Sequence, residues 1–288
     1  MENAEDAVNY GFEFVARLAT ELDQNTLDLP AFPDVAIRVK QALSDPEITA
    51  EQIARIVGSD PVFSARLLKV SNSALLNCAG AQITDLRLAV MRLGFTMAYN
   101  IAVTIAVEQV MKTSEVDKLH PYLKDLWHHS VKVAAYAYVI AHQQTMINPD
   151  EAMLAGLLHD IGKYYILTKT EDFPQLFDDP DTLDAILTDW HTAVGYSILD
   201  AWNFNEEVAI SANEHESLHR AHVGQPDMTD VVLVANLFSH YQDIEQLSRI
   251  DWDGIPALKK LGLTLNTAFD VIQDSQEEMQ SIINALES

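Results

Sequence analysis

The sequence predicts an all-α protein, and three observations carry that expectation. Ten glycines and ten prolines in 288 residues are too few for a chain of many short strands and tight turns. Ala, Leu and Ile recur among Glu and Gln without alternating β-branched runs. Helix-start signals stand at intervals, the clearest being Thr49 with Gln52 and Asp60 followed by Pro61. At this length roughly three-quarters of the unfolded surface leaves water on folding, and a chain that is 48% apolar has the material for it. Disorder as the dominant state is excluded, and one large domain or two modest lobes is expected.

Taken in order, Thr49 and Gln52 form a capping box, in which each side chain satisfies a backbone donor of the other. Ile53, Ile56 and Val57 then make an apolar stripe, and Gly58 ends the helix. Asp60-Pro61 starts the next helix, with Phe63, Leu67, Leu68 and Val70 on its buried side. Thr84 is placed as the cap of a third, which reaches Leu93-Gly94. A longer helix over 95–112 is apolar on several faces, as a central helix is. Residues 1–112 therefore read as an N-terminal helical lobe.

The polar stretch 113–119 and His120-Pro121 mark a boundary. Residues 113–288 read as a second helical lobe with a C-terminal helical extension. Its helices are placed at 121–142, 149–168, 182–202, 206–220 and 229–242, with one or two more after Pro256. Seven acidic residues and no basic one lie between Glu171 and Asp189, which reads as a solvated loop and helix face.

Eighteen basic residues against 43 acidic ones leave a net charge of −25, a field that opposes phosphate backbones and anionic lipid. Nucleic acid and membrane are thus excluded as expected partners. The single cysteine, Cys78, permits no intramolecular disulfide, and the acidic N-terminus leads into no signal-like core. The longest apolar stretches, 101–107 and 133–141, fall short of a membrane span. A cytoplasmic location is expected.

The chemistry gathers around Leu157-Leu158-His159-Asp160-Ile161-Gly162-Lys163. A His-Asp doublet at the end of an apolar helix offers two N/O ligands at one point, although by itself the doublet is weak evidence and a satisfied buried pair is the commoner case. Helical projection supplies further candidates. His129 shares the face of Leu126, Val133, Ala137 and Ile140, whereas His128 points to the opposite side. His191 lies on the stripe of Leu183, Leu187, Val194 and Ile198, and His215 lies near Val208 and Ala212. Single inward histidines are usually core residues with a hydrogen-bond partner, and three on separate helices together with the doublet leave that reading and a divalent-ion site equally open.

The order His129, His159-Asp160, His191, His215 resembles the HD superfamily of metal-dependent phosphohydrolases, whose minimal pattern is a His, a His-Asp doublet and a later Asp. Here Asn236, in Val231-Val232-Leu233-Val234-Ala235-Asn236, stands where that Asp is expected. An amide is neutral and a weaker ligand than a carboxylate, so the resemblance implies an easily stripped ion. Further motifs narrow the likeness. Leu29-Pro30-Ala31-Phe32-Pro33, Gly58-Ser59-Asp60-Pro61, Leu67-Leu68-Lys69-Val70-Ser71-Asn72-Ser73 and Leu93-Gly94 resemble signatures of the HDOD domain, the HD-related output domain of bacterial signalling proteins. The likeness spans residues from about 20 to about 245. It implies a two-lobe helical architecture with an HD-type C-terminal lobe whose metal site is commonly degenerate. The related HD-GYP branch carries paired histidines and a Gly-Tyr-Pro. Asn213-Glu214-His215-Glu216-Ser217 shows neither, which disfavours cyclic di-GMP hydrolysis.

Two functions are open at this point. One is a non-catalytic regulatory or scaffold module for bacterial signal transduction, which Asn236 favours. Its signalling protein partner would bind the first lobe and the inter-lobe seam, near Phe32, Phe63 and Asn72. The other is a metal-dependent phosphohydrolase acting on a nucleotide or phosphoester. In that case the resemblance implies His129, His159, Asp160 and Asn236 around one ion, and His191 and His215 at a second ion or orienting substrate. His159, Asp160 and Lys163 would be the catalytic group, with Lys163 clamping phosphate or else sitting as a cation on the helix dipole. A divalent ion of unspecified identity is the one cofactor implied, and a homo-oligomer is allowed.

Overall fold

The computed structural model describes residues 2–24, 26–28, 34–73, 82–112, 119–241 and 244–286. The Leu29 to Pro33 motif and Cys78 lie outside them. The described residues are helical, with no strand among them. The first six helices are α1 (Glu2–Asp23), α2 (Asp34–Leu43), α3 (Ala50–Val57), α4 (Pro61–Ser71), α5 (Leu86–Leu93) and α6 (Phe95–Lys112).

Local signals decide most of these boundaries. At α3, Thr49 Oγ1 accepts from the Gln52 N–H at 3.3 Å while Gln52 Oε1 accepts from the Thr49 N–H at 2.9 Å. At α4, the Asp60 carboxylate accepts from the N–H groups of Val62 and Phe63 at 2.8 and 3.0 Å. The cap of α5 is Asp85 rather than Thr84. Its carboxylate accepts from the Leu88 N–H at 2.9 Å and adds a negative charge at the helix N-terminus that a hydroxyl lacks. Asn72 does more than end α4. Its amide exchanges hydrogen bonds with both backbone groups of Ile83, 2.7 and 2.8 Å long, tying α4 to the entry of α5. Gly94, at φ 80°, turns α5 into α6 through 107° in a conformation that favours glycine.

The remaining helices are α7 (Leu119–Gln144), α8 (Pro149–Leu158), α9 (Ile161–Lys169), α10 (Pro180–Ala201), α11 (Glu206–Glu214), α12 (Met228–Ser239), α13 (Ile244–Leu247), α14 (Pro256–Lys260), α15 (Leu265–Asp274) and α16 (Gln276–Leu286). Two short 3-10 turns, Thr170–Asp172 and Pro174–Asp178, join α9 to α10. Three placements read from sequence are corrected. The helix placed at 149–168 breaks at His159-Asp160, where Asp160 has φ −101° and ψ 17°. The helix placed at 206–220 stops at Glu214, because Arg220 folds back onto Glu214 and onto Asp227 and Asp230 at the start of α12. Three helices, not one or two, follow Ile255.

The buried side chains form one continuous apolar cluster through both lobes. α7 lies at its centre, packed along α8, α12 and α16. α1, inside the 1–112 stretch, packs on α10 and on the segment leading into it rather than on α2 to α6: Phe14 meets Phe173 edge-on, and the Tyr165 hydroxyl of α9 donates to Glu21 at 2.9 Å. Lys40 on α2 reaches across to the turn after α10. Its ammonium donates to the carbonyls of Trp202 and Asn203 and lies 5.0 Å from the centre of the Phe204 ring. Among the described residues no single helix is long and apolar enough to cross a membrane.

Candidate metal centre

The break between α8 and α9 builds the site. From Ala152 to Leu158 α8 is apolar and buried, so its last residues cannot turn to water. His159 satisfies the helix end by donating from Nδ1 to the Gly156 carbonyl at 2.7 Å. Asp160 precedes α9 in the N-cap position, yet its carboxylate does not cap that helix. It points instead into a cluster of imidazoles, and both residues of the doublet are fully buried.

Four helices aim a histidine at that carboxylate. Asp160 Oδ2 lies 3.6 Å from His129 Nε2 on α7 and 3.4 Å from His159 Nε2. Asp160 Oδ1 lies 3.5 Å from His191 Nε2 on α10 and 3.4 Å from His215 Nε2 at the end of α11. The two Nε2 atoms of each pair are 3.2 Å apart (His129 and His159) and 3.3 Å apart (His191 and His215). α9 crosses α10 closely enough to permit this only because Gly162 stands at the crossing: a Cβ there would come within 1.9 Å of the His191 carbonyl oxygen.

The hydrogen bonds behind the rings assign the tautomers. Nδ1 of His159, His191 and His215 donates to the carbonyls of Gly156, Leu187 and Ala212 at 2.7, 2.7 and 2.9 Å. Each of these rings therefore turns an Nε2 lone pair toward Asp160. His129 Nδ1 lies 3.4 Å from the Ser239 hydroxyl on α12. Burial, helped by neighbouring His159, lowers His129 to about 3, and burial lowers His191 to about 4. Burial likewise lowers His159. Burial alone would raise the Asp160 carboxyl, but the Lys163 ammonium, which donates to its Oδ2 at 2.9 Å, overcomes that and holds it well below the usual carboxylate range.

Such an arrangement fits a cation. Two atoms bound to one ion at about 2.0 to 2.2 Å, subtending roughly 90 to 110°, stand about 2.8 to 3.6 Å apart. Both donor triads, His129-His159-Asp160 and Asp160-His191-His215, have their separations in that range. Asp160 Oδ1 is buried without a hydrogen-bond partner, so the one oxygen shared with His191 and His215 has nothing in the protein to satisfy it. On the other side, Lys163 Nζ donates to Asp160 Oδ2 at 2.9 Å.

The family model of the HDOD domain matches residues 29–218. The chain belongs to the HDOD domain family. A structure from Shewanella amazonensis SB2B, provisionally described as a metal-dependent phosphohydrolase, is 26% identical, with a TM-score of 0.77 over 96% of this chain and 99% of that one. An HDOD domain protein of unknown function from Geobacter sulfurreducens is 22% identical, with a TM-score of 0.68 over 98% and 99%. A protein from Marinobacter aquaeolei VT8, provisionally described as a signal transduction protein, is 18% identical, with a TM-score of 0.63 over 96% of this chain and 66% of that one. The latter two share the fold. No curated protein matches the chain.

Of the candidate residues, this HDOD domain brings His129, His159, Asp160, Lys163, His191 and His215 to one point. Asn236 is 6% exposed on α12, but its amide nitrogen meets Glu216 Oε1 at 3.5 Å rather than an imidazole. Glu216 was legible only as the neighbour of His215 in the chain. His240, which caps the C-terminal end of α12, stacks on His129 with ring centres 5.2 Å apart. It lines a cavity of about 360 Å³ that opens onto Asp160 beside Tyr122 and Lys163. A further group, His222, Asp227 and Asp230, already holds Arg220 and Lys260 as its cations and pins the loop after α11.

Proposed function

We propose that this HDOD domain holds two divalent cations, one on each side of Asp160, and uses that centre on a small phosphoester. The observation that carries the reading is the Asp160 carboxylate, each of whose oxygens faces two imidazole Nε2 atoms. The name of the Shewanella relative agrees with it. Divalent ions held in this way would acidify a bound water and polarise a phosphoryl oxygen. The protein's own contribution is orientation. Carbonyls of α8, α10 and α11 fix three of the rings, and Gly162 lets His191 come within reach. Lys163 balances Asp160 and stands at the cavity floor, where it would meet a substrate phosphate. Tyr122 and His240 would flank the group that phosphate is attached to.

A second reading, a regulatory module that binds metal and ligand without turnover and passes the state to a protein partner, is favoured by one observation. Lys163 is the sole Lys or Arg among the described residues lining the cavity, and it is already engaged with Asp160. One experiment tests both readings. The purified protein is assayed for metal content and, with Mn²⁺ added, for hydrolysis of bis-p-nitrophenyl phosphate and a nucleotide panel. Bound metal with turnover that is lost in Asp160→Asn supports the first reading. Bound metal with phosphate binding but no turnover supports the second. Absence of metal binding refutes both metal-based readings and leaves a non-catalytic scaffold with a degenerate site.

A further inference from the structure

Asn236 offers an amide where the resemblance to the HD superfamily implies a carboxylate. The structure places a carboxylate beside it. Glu216 Oε1 lies 3.5 Å from Asn236 Nδ2 and 3.6 Å from His215 Nε2. The second distance equals the largest donor separation inside the two triads, 3.6 Å, and so meets the same geometric condition for sharing an ion. Among the described residues, Asp160 and Glu216 are the carboxylates that come within 4.0 Å of an Nε2 of the cluster.

We propose that Glu216 supplies a carboxylate ligand on the His191 and His215 side of the centre and that Asn236 holds it there. The proposal rests on the reading that these donors hold divalent ions. Two independent features support it. Asn236 is buried and its Oδ1 has no hydrogen-bond partner, so the amide is committed through its nitrogen alone, and that nitrogen faces the Glu216 carboxylate. The chain carrying Glu216 is also fixed. Arg220 binds Glu214 at 2.5 Å and Asp227 at 2.6 Å, while His222 binds the buried Asp230 at 2.7 Å, so the loop cannot swing away from α12. The Glu216 side chain itself is 52% exposed, which leaves its carboxylate free to adjust to an ion. An Asp at 236 would face that carboxylate with a like charge. The amide is therefore the residue that allows Glu216 to approach.

The test is a double-mutant cycle on the full chain. Wild type, Glu216→Gln, Asn236→Asp and the double variant are stripped with chelator and titrated with Mn²⁺ by calorimetry, and with Co²⁺ by its visible absorption. Melting curves confirm folding. Loss of about 10- to 100-fold in affinity at one site and a changed Co²⁺ spectrum are expected in Glu216→Gln. No gain is expected in Asn236→Asp alone, and the double variant should recover affinity, since a carboxylate then stands on α12 without opposition. Affinity of Glu216→Gln within twofold of wild type, or tighter binding in Asn236→Asp alone, overturns the proposal and leaves the metal centre standing. A wild type that takes up no ion overturns the metal reading itself, and the proposal with it.

Discussion

Replacing Gly162 by Ala tests whether the α9 and α10 crossing is what assembles the site. A Cβ at 162 would lie 1.9 Å from the His191 carbonyl oxygen and 2.7 Å from the Gly195 nitrogen. Both are backbone atoms, so no rotamer change relieves the contact. Ordinary contact begins near 3.4 Å, and the helices must therefore part by roughly 1.5 Å. Overpacking of this kind costs about 1 to 3 kcal/mol, and backbone against backbone belongs at the upper end. About 3 kcal/mol lowers the melting temperature by roughly 6 °C in a chain of this size. The displaced carbonyl belongs to His191 itself, so its Nε2 leaves Asp160 and His215, and Mn²⁺ binding on that side weakens more than on the His129 and His159 side. Gly195→Ala is the control, because its added Cβ would meet nothing closer than 3.5 Å. Melting curves and calorimetric Mn²⁺ titration read both effects. A Gly162→Ala protein that melts within 1 °C of wild type, by this estimate of about 3 kcal/mol, and keeps its Mn²⁺ isotherm would refute the reasoning.

Acid should destabilise the metal-free fold. His129 and His191 titrate near 3 and 4 in the folded protein against about 6.5 when unfolded. Between those values the unfolded chain binds more protons, so stability rises with pH and falls on acidification by about 1.4 kcal/mol per pH unit for each histidine; melts that stay flat from pH 6.5 to 4.5 would contradict this. Lys163→Met removes the cation 2.9 Å from the buried Asp160 carboxylate. It should cost the metal-free protein about 2 kcal/mol and melt like wild type once Mn²⁺ saturates both proteins; a deficit that survives Mn²⁺ counts against the charge argument. Lys40→Met keeps the stem but loses the bonds to the Trp202 and Asn203 carbonyls. A loss of about 1 kcal/mol is expected, read as a small drop in melting temperature without change in Mn²⁺ affinity, and a fall in affinity would show that α2 acts on the site.

What the chain encodes locally was open to reading from residues alone. A capping box needs only Thr49 and Gln52 three positions apart, and Asp60-Pro61 carries its own cap. The inward direction of His129, His191 and His215 follows from helical period, because an apolar stripe fixes which face is buried. The Asp85 cap was missed by one residue, since Thr84 and Asp85 both have the chemistry of a cap and only the path of the chain chooses between them. The break of the long helix at His159-Asp160 was missed for a deeper reason. The local pattern is apolar and continuous, and what stops the helix is the His159 bond to Gly156 together with a carboxylate drawn toward three rings from other elements.

The sequence by itself determined the helical class, the order of the ligand-type residues and the net charge of −25. These depend on composition and on spacings of a few residues, where propensity and capping dominate. Tertiary structure alone decided that α1 packs on α10, that Asp160 divides four imidazoles into two pairs, and that Glu216 meets Asn236. Those contacts join residues distant in the chain through close approach of whole helices, as at Gly162 and His191, and such approach is set by the packing of side-chain volumes rather than by any local pattern.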